Sequence, residues 1–258
     1  MSKSNAAQNI NGWIIIDKPT GITSSAVVNK IKWACSARKA GHAGTLDPSA
    51  TGILAIALGE ATKTIPYVTE QIKSYTFEVK WGEATDSDDS DGKIIQTSQM
   101  RPSEQDIIAI LPRFRGEIKQ TPPFFSAVKI NGRRAYELAR SGEDFDIASR
   151  SLFVSSLKLE KYISENSAIL SLECGKGGYV RSIARDLGLE LGCYGHVKWL
   201  RRIASGSFNL SMAHSLDTIL KLNKTSAVNN FILPVELGLS TIKHGTCTST
   251  AAEKIKNG

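Results

Sequence analysis

Gly41-His42-Ala43-Gly44-Thr45-Leu46-Asp47-Pro48-Ser49-Ala50-Thr51-Gly52 runs straight into the apolar segment 53–58 and then Gly59. Three glycines and a proline in twelve residues exclude a helix, because glycine gives up too much chain entropy there and proline lacks the donor and clashes with the preceding turn. The stretch is a shaped loop that delivers the chain into a strand. Pro48 confines Asp47 to extended backbone, so the carboxylate is aimed by its surroundings. A tight connection capped by its own aspartate would account for an isolated Asp-Pro. Here His42, two threonines and the repeated glycines expose more backbone than a turn requires, which suits close approach of a ligand. A Walker-type phosphate loop is excluded: in Gly59-Glu60-Ala61-Thr62-Lys63-Thr64 the residue before the lysine is Thr62, where that pattern needs glycine.

The 258 residues are 41% hydrophobic, enough for a real core in one large domain or two small ones. Thirty-two Lys and Arg against 25 Asp and Glu leave a charge of +7, which favours a polyanionic partner. Cys35, Cys174, Cys193 and Cys247 form no C-x-x-C pair, so neither a zinc site nor a disulfide framework is indicated and a reducing cytoplasm fits. The run 13–16 is too short for a signal or a membrane span, and neither a membrane nor a metal is expected as a partner.

Segment 12–17 reads as a buried strand, closed by the turn Lys18-Pro19-Thr20-Gly21. Ser24 or Ser25 then caps a helix with Val27, Val28, Ile31 and Ala34 on one face. From Lys73 to Gly82 the chain alternates, with Tyr75, Phe77, Val79 and Trp81 on one side, so spacing alone makes Tyr75 a core aromatic. The acidic segment 85–92 misses the calcium-loop register, having Asp91 at its sixth position and Thr97 at its twelfth; it reads as a solvated hairpin turn joining the Tyr75 strand to Lys93-Ile94-Ile95. Ser103-Glu104-Gln105-Asp106 is a capping box that opens a helix with Ile107, Ile108 and Leu111 inward, kinked or ended by Pro112.

Lys129, Arg133, Arg134 and Arg140, interleaved with Phe125 and Tyr136, form the densest basic and aromatic cluster, either a solvated helix face or a phosphate-tracking surface. Segments 151–163 and 167–174 pair as a hairpin. The glycine-rich turn from Gly175 leads into a helix with Tyr179 and Arg181 in its first turn. An arginine there meets the positive end of the helix dipole, and a carboxylate partner is the simplest compensation. A last helix over 216–222 and a buried turn, Leu233-Pro234-Val235-Glu236, complete the reading.

Taken together, Gly44-Thr45-Leu46-Asp47-Pro48, Ala50-Thr51-Gly52 and Gly59-Glu60-Ala61-Thr62-Lys63 resemble the signature of the TruB-type tRNA pseudouridine-55 synthases. Asp17-Lys18-Pro19-x-Gly21 matches that family's opening motif, and Lys176-Gly177-x-Tyr179-x-Arg181 its second signature, with Gly178 where threonine is common. Gly195-His196-Val197-x-x-Leu200-Arg201-Arg202 continues the match. The resemblance implies an α+β, pseudouridine-synthase-like fold with a largely antiparallel central sheet, flanking helices and a catalytic cleft. It also implies isomerisation of uridine to pseudouridine at position 55 in the tRNA T-loop, without metal or cofactor and with base flipping.

By the same resemblance Asp47 is the catalytic carboxylate and Arg181 its partner, while Tyr75 stacks on the base or handles a proton. Asp89 joins the charge network, Leu200 lines the uracil pocket and His42 fills the space the flipped base vacates. Tyr179, Lys18, Lys63, Lys129 and Arg140 are the remaining substrate contacts, with Arg140 near the aspartate. The expected layout is a flexible tail over 1–11, a catalytic domain over 12–240 with a mobile basic insertion near 120–150, and the cut-short start of a C-terminal RNA-binding domain over 241–258. A monomeric cytoplasmic enzyme follows. Two other readings are a non-catalytic tRNA-binding or folding protein and a nucleoside or nucleotide hydrolase acting through Asp47; the basic 129–140 region argues against the hydrolase.

Overall fold

In the computed structural model, residues 10–222, 225–243 and 245–257 are described. The chain enters the sheet with β1 (Gly12–Lys18), in which residues 13–16 are shut off from solvent. Ile14 and Ile16 join the core under α1 (Ser24–Ala34), while Trp13 and Ile15 join a second core on the opposite face. A strand covered on both faces has no polar alternation, which is why this run is continuously apolar. β2 (Ala40–His42) and β3 (Thr51–Leu58) flank the Asp47 loop, and α2 (Ile65–Glu70) leads to β4 (Lys73–Trp81). A small separate sheet of β5 (Glu83–Thr85) and β6 (Ile94–Thr97) follows, then α3 (Glu104–Ile110) and β7 (Gly116–Gln120). The short pair β8 (Lys129–Ile130) and β9 (Arg133–Arg134) precedes α4 (Ala135–Ser141). β10 (Arg150–Ser164) and β11 (Ser167–Cys174) form the long hairpin. After α5 (Val180–Glu190) come β12 (Gly195–Ser205), β13 (Phe208–Asn209), β14 (His214–Ser215), α6 (Leu216–Lys221) and α7 (Ser249–Asn257).

Among the described residues, ten strands make one mostly antiparallel sheet in the order β14-β1-β3-β12-β4-β11-β10-β7, with β2 beside β3 and β13 beside β12. This is the α+β architecture with flanking helices that the sequence leads one to expect. α5 lays Val180, Ile183, Ala184 and Leu187 on Phe77, Val79, Trp81, Leu170 and Leu172. The parallel contact of β3 with β12 is short, Thr51 opposite Arg201 and Gly52 opposite Arg202. Before those residues the two strands part, and the 86–90 loop docks on β12 instead: Val197 N donates to Asp88 O and Ser90 N to Val197 O, each at 3.0 Å. The cleft forms at this split. In the β7–β10 ladder Gln120 stands opposite Arg150, so residues 121–149 leave and re-enter the sheet at adjacent points.

Several local expectations are corrected. Thr23, not Ser24 or Ser25, caps α1, its hydroxyl accepting from Ala26 N. Ile108 faces solvent, unlike Ile107 and Leu111. The capping box at Ser103 and Asp106 is present, and the helix tightens into a 3-10 turn at Leu111–Phe114 where Pro112 intervenes. β6 pairs with β5 rather than with the Tyr75 strand, and the acidic loop is docked rather than solvated, with Asp88 8% exposed. Leu233 exchanges backbone hydrogen bonds with Trp13 and so extends the β1 edge, and helix α7 follows the one expected to be last. Of the expected tail, residues 1–9 lie outside the described residues; Ile10 packs on the core and Asn11 Oδ1 accepts from Glu60 N. No described helix is long and apolar enough to cross a membrane.

Candidate active site

The loop carrying Asp47 is pinned on both sides of the carboxylate. Ser24 is buried at the start of α1, and its hydroxyl donates to Leu46 O at 2.8 Å and accepts from Leu46 N at 2.9 Å. Lys18 has no exposed surface; its ammonium donates to Pro19 O, Ile22 O and Pro48 O at 2.8–3.0 Å. Gly21 N donates to Pro48 O, and Ala50 N to Asp47 O. From below, Arg202 donates from Nε to Ile53 O at 2.7 Å, from Nη1 to Thr45 O at 3.4 Å and from Nη2 to Gly44 O at 3.1 Å. Two of the loop's glycines make room for it. A Cβ on Gly52 (φ 96°) would sit 2.1 Å from Arg202 O, and one on Gly44 (φ 98°) would touch Nη1 at 3.4 Å.

Asp47, with 38% of its side chain exposed, meets Arg181 across the cleft: Nε lies 2.9 Å from Oδ2. The carboxylate that the first-turn arginine needs is therefore supplied from the other glycine-rich segment. The Arg181 side chain is 6% exposed; Nη1 donates to Ser87 O at 2.9 Å and Nη2 to Phe125 O at 3.1 Å. Asp89 Oδ2 is 3.7 Å from Arg181 Nε, and its Oδ1 accepts from Ser87 Oγ and Asp91 N. Burial raises the Asp89 carboxyl, opposed by the Ser87 hydrogen bond and by Arg181. Next to it Asp88 pairs with Arg185 Nη1 at 2.9 Å, and burial pushes its carboxyl up to about 6.

Tyr75 stands opposite Arg202 in the β4–β12 ladder, and the guanidinium donates to its hydroxyl oxygen. Burial raises the phenol further above its ordinary value than Arg202 can lower it, so it stays protonated at neutral pH. His42, half-buried at the end of β2, is held below its ordinary value by burial and by the Arg202 charge, so its imidazole is neutral. Leu200 lines the same small cleft of about 40 Å³ as Asp47, Asp89, Arg181 and Trp199. Tyr179 is the N-cap of α5 rather than a first-turn residue; its N–H donates to Gln120 Oε1, and its carbonyl accepts from Gln120 Nε2.

Other expected contacts lie apart from this cluster. Lys18 is enclosed and serves the loop backbone, so it offers no ammonium to RNA. Lys63 pairs with Glu60 beyond the far end of β3, a strand whose eight residues cover roughly 23 Å. Arg140 lies over the Tyr136 ring, 5.6 Å from its centroid, not against Asp47, and Lys129 is exposed on β8. Ser24, Arg185 and Arg202 were not singled out from the sequence as site residues. Arg202 carries the clearest signal, since strand alternation after the exposed Trp199 sends one of two adjacent arginines inward.

Residues 32–180 match the model of the TruB family pseudouridylate synthase N-terminal domain, and residues 181–240 that of the tRNA pseudouridylate synthase B C-terminal domain. The chain belongs to the TruB family of pseudouridylate synthases. It is 50% identical to the tRNA pseudouridine synthase B of Ruegeria pomeroyi over 100% of this chain and 85% of that protein. The corresponding Rhodospirillum rubrum protein is 46% identical, covering 100% and 84%. Among solved structures, a chain of a Cbf5-Nop10-Gar1 complex superposes with a TM-score of 0.75 at 27% identity, covering 96% of this chain and 67% of that one. As a TruB-family synthase the chain is an isomerase, and its two matched segments meet at the Asp47–Arg181 contact.

Proposed function

We propose that this protein converts uridine to pseudouridine at position 55 in the T-loop of tRNA, with Asp47 as the catalytic carboxylate. The observation that carries the reading is an accessible Asp47 oriented by a buried arginine, on a loop pinned at residues 44, 45, 46 and 48. Relatives described as tRNA pseudouridine synthase B support tRNA as the substrate, and the +7 charge suits it.

The reaction breaks N1–C1′ and forms C5–C1′; C5 loses a proton, N1 gains one, and nothing is oxidised. Asp47 acts at the sugar, either by adding to C1′ as uracil departs or by accepting the C2′ proton to give a glycal; deuterium at C2′ separates the two routes. Tyr75 gives a stacking face and, held protonated, a proton donor rather than a base. Leu200 closes the apolar side of the uracil pocket. The base must leave its stack, at a cost of a few kcal/mol, and the neutral His42 ring fills the space it vacates. Asp89 steadies Arg181, Tyr179 borders the pocket, and Lys129 and Arg140 meet phosphates of the T-stem. Four free cysteines suit a reducing compartment such as the cytoplasm.

Incubating the protein with an unmodified tRNA transcript and mapping pseudouridine tests the proposal. The expected product is a single modified residue at position 55, with none formed by Asp47→Asn although that variant still binds tRNA. Pseudouridine made by Asp47→Asn would remove the carboxylate from the chemistry, and release of free uracil would turn the reading into a hydrolase.

A further inference from the structure

Arg185 stands one turn beyond Arg181 on α5, and residues so spaced share a helix face. The two guanidiniums reach the same two segments. Arg181 donates to Ser87 O in the acidic loop and to Phe125 O in the excursion. Arg185 donates to Asp88 Oδ2 at 2.9 Å and to Thr121 O, at the root of the excursion, at 2.8 Å. A third contact, from Nε to Asp186 Oδ1 at 2.8 Å, fixes the Arg185 fork on its own helix. Along the acidic loop the partners alternate: Ser87 and Asp89 face Arg181, and Asp88 between them faces Arg185.

Nothing about the fold calls for a charge at Asp88. Asparagine would hold its φ of 61° equally well. The charged groups facing it are Arg185, Arg181 and Asp186, all on α5, and β12 meets the loop through the backbone of Val197. Burial, with Asp186 adding repulsion, pushes the carboxyl up to about 6 against the pull of both arginines. A buried ion pair of this kind is weak evidence for stability and is best attested as a device that fixes register. The register it fixes here is that of residues 87–89 on α5. Val197 N donates to Asp88 O and Ser90 N to Val197 O, so the loop backbone lies on β12 while the Asp88 side chain draws it to α5. Ser87 O and Asp89 Oδ2 are thereby held against Arg181, whose Nε meets Asp47.

We propose that Asp88 and Arg185 are positioning residues for the reaction: their ion pair holds the acidic loop and the root of the excursion against α5, so that Arg181 stays aimed at Asp47. They act through Arg181. This rests on the reading of Asp47 as the catalytic carboxylate, and the test separates the two.

Single-turnover rates on unmodified tRNA are compared between wild type and Asp88→Asn across pH. Below about pH 5 the wild-type carboxyl is protonated and the two proteins should react alike. Above about pH 7 the wild type should be faster by roughly 10- to 100-fold, the usual penalty for a misplaced group, with tRNA affinity in filter binding unchanged. Ionisations common to both proteins cancel in the ratio, and a merely structural role would leave it independent of pH. In the same alkaline range Arg185→Gln should also be slow, and the double variant no slower than the slower single one. A ratio that does not change with pH, or losses that multiply in the double variant, overturns the proposal.

The Nε–H resonance of Arg181, identified by its loss in Arg181→Lys, reads the same positioning without RNA. It should shift in a step near pH 6 in the wild type and show no such step in Asp88→Asn. If no RNA is isomerised while that Asp88-dependent step is present, the functional reading fails and the positioning stands; isomerisation without the step has the opposite meaning.

Discussion

Arg181 gives Asp47 one N–H, from Nε at 2.9 Å, while its two terminal nitrogens each donate to a backbone carbonyl, that of Ser87 and that of Phe125. One guanidinium thereby ties together the Asp47 loop, the acidic loop and the 121–149 excursion. An ammonium has no planar fork and cannot keep these three directions at once. Arg181→Lys should fold and bind tRNA but lose roughly 100-fold or more in single-turnover rate, the usual penalty for a misplaced reacting group. Normal turnover in that variant would release Arg181 from the mechanism.

Arg202 is 1% exposed, and among the described residues no carboxylate pairs with it. Carbonyls of Gly44, Thr45 and Ile53 and the Tyr75 hydroxyl are its partners instead. Arg202→Met leaves those acceptors buried and bare, at a cost of roughly 3 kcal/mol or more in unfolding free energy. Gly52→Ala should show a similar loss, since its Cβ collides with the Arg202 backbone. Urea unfolding measures both, and the rate per folded molecule of Arg202→Met should also fall. Wild-type stability in either variant would contradict the packing described.

Lys129 and Arg140 belong to the excursion, one exposed and the other stacked on Tyr136. If each meets a phosphate, replacing either by alanine should weaken binding of every tRNA alike and flatten the log–log dependence on salt by roughly 0.7–0.9. Filter binding at several salt concentrations reads the slope. A change confined to particular tRNA sequences would instead mean base contact.

Asp88 holds a backbone φ of 61°, which asparagine tolerates too, so Asp88→Asn removes charge with little strain. Burial pushes this carboxyl from 3.8 up to about 6, against the pull of Arg185 and Arg181. Between those values the folded chain holds a proton that the unfolded chain has released, so stability falls as pH rises through the window and levels off above it. The contribution is at most roughly 3 kcal/mol. The difference in unfolding free energy between wild type and Asp88→Asn should therefore change from pH 4 to about 6 and stay constant beyond. A flat difference across the window would mean that Asp88 titrates as it does in water.

The sequence is legible where residue type dictates backbone. Glycine and proline mark the loop at 41–52, alternation marks β4, and the doubly covered β1 and β3 announce themselves by unbroken apolar runs. Depth is less legible. Lys18 follows a strand and precedes a proline, which reads as surface, yet it is enclosed because three carbonyls of two turns converge on it. The acidic loop looks solvated because its arginine partners, Arg181 and Arg185, lie more than ninety residues away in the chain. Arg201 and Arg202 are identical neighbours, yet the first pairs with Asp17 near the surface and the second goes into the core, a distinction that appears only once 195–205 is seen as a strand.

The excursion is rooted at two facing residues, Gln120 and Arg150, and its first residues are tied to α5, where Ser182 and Arg185 both donate to Thr121 O. Its Phe125 carbonyl occupies an Arg181 donor. A basic, aromatic-rich segment is in this way hydrogen-bonded to the guanidinium that aims Asp47, so the position of the one bears on the orientation of the other.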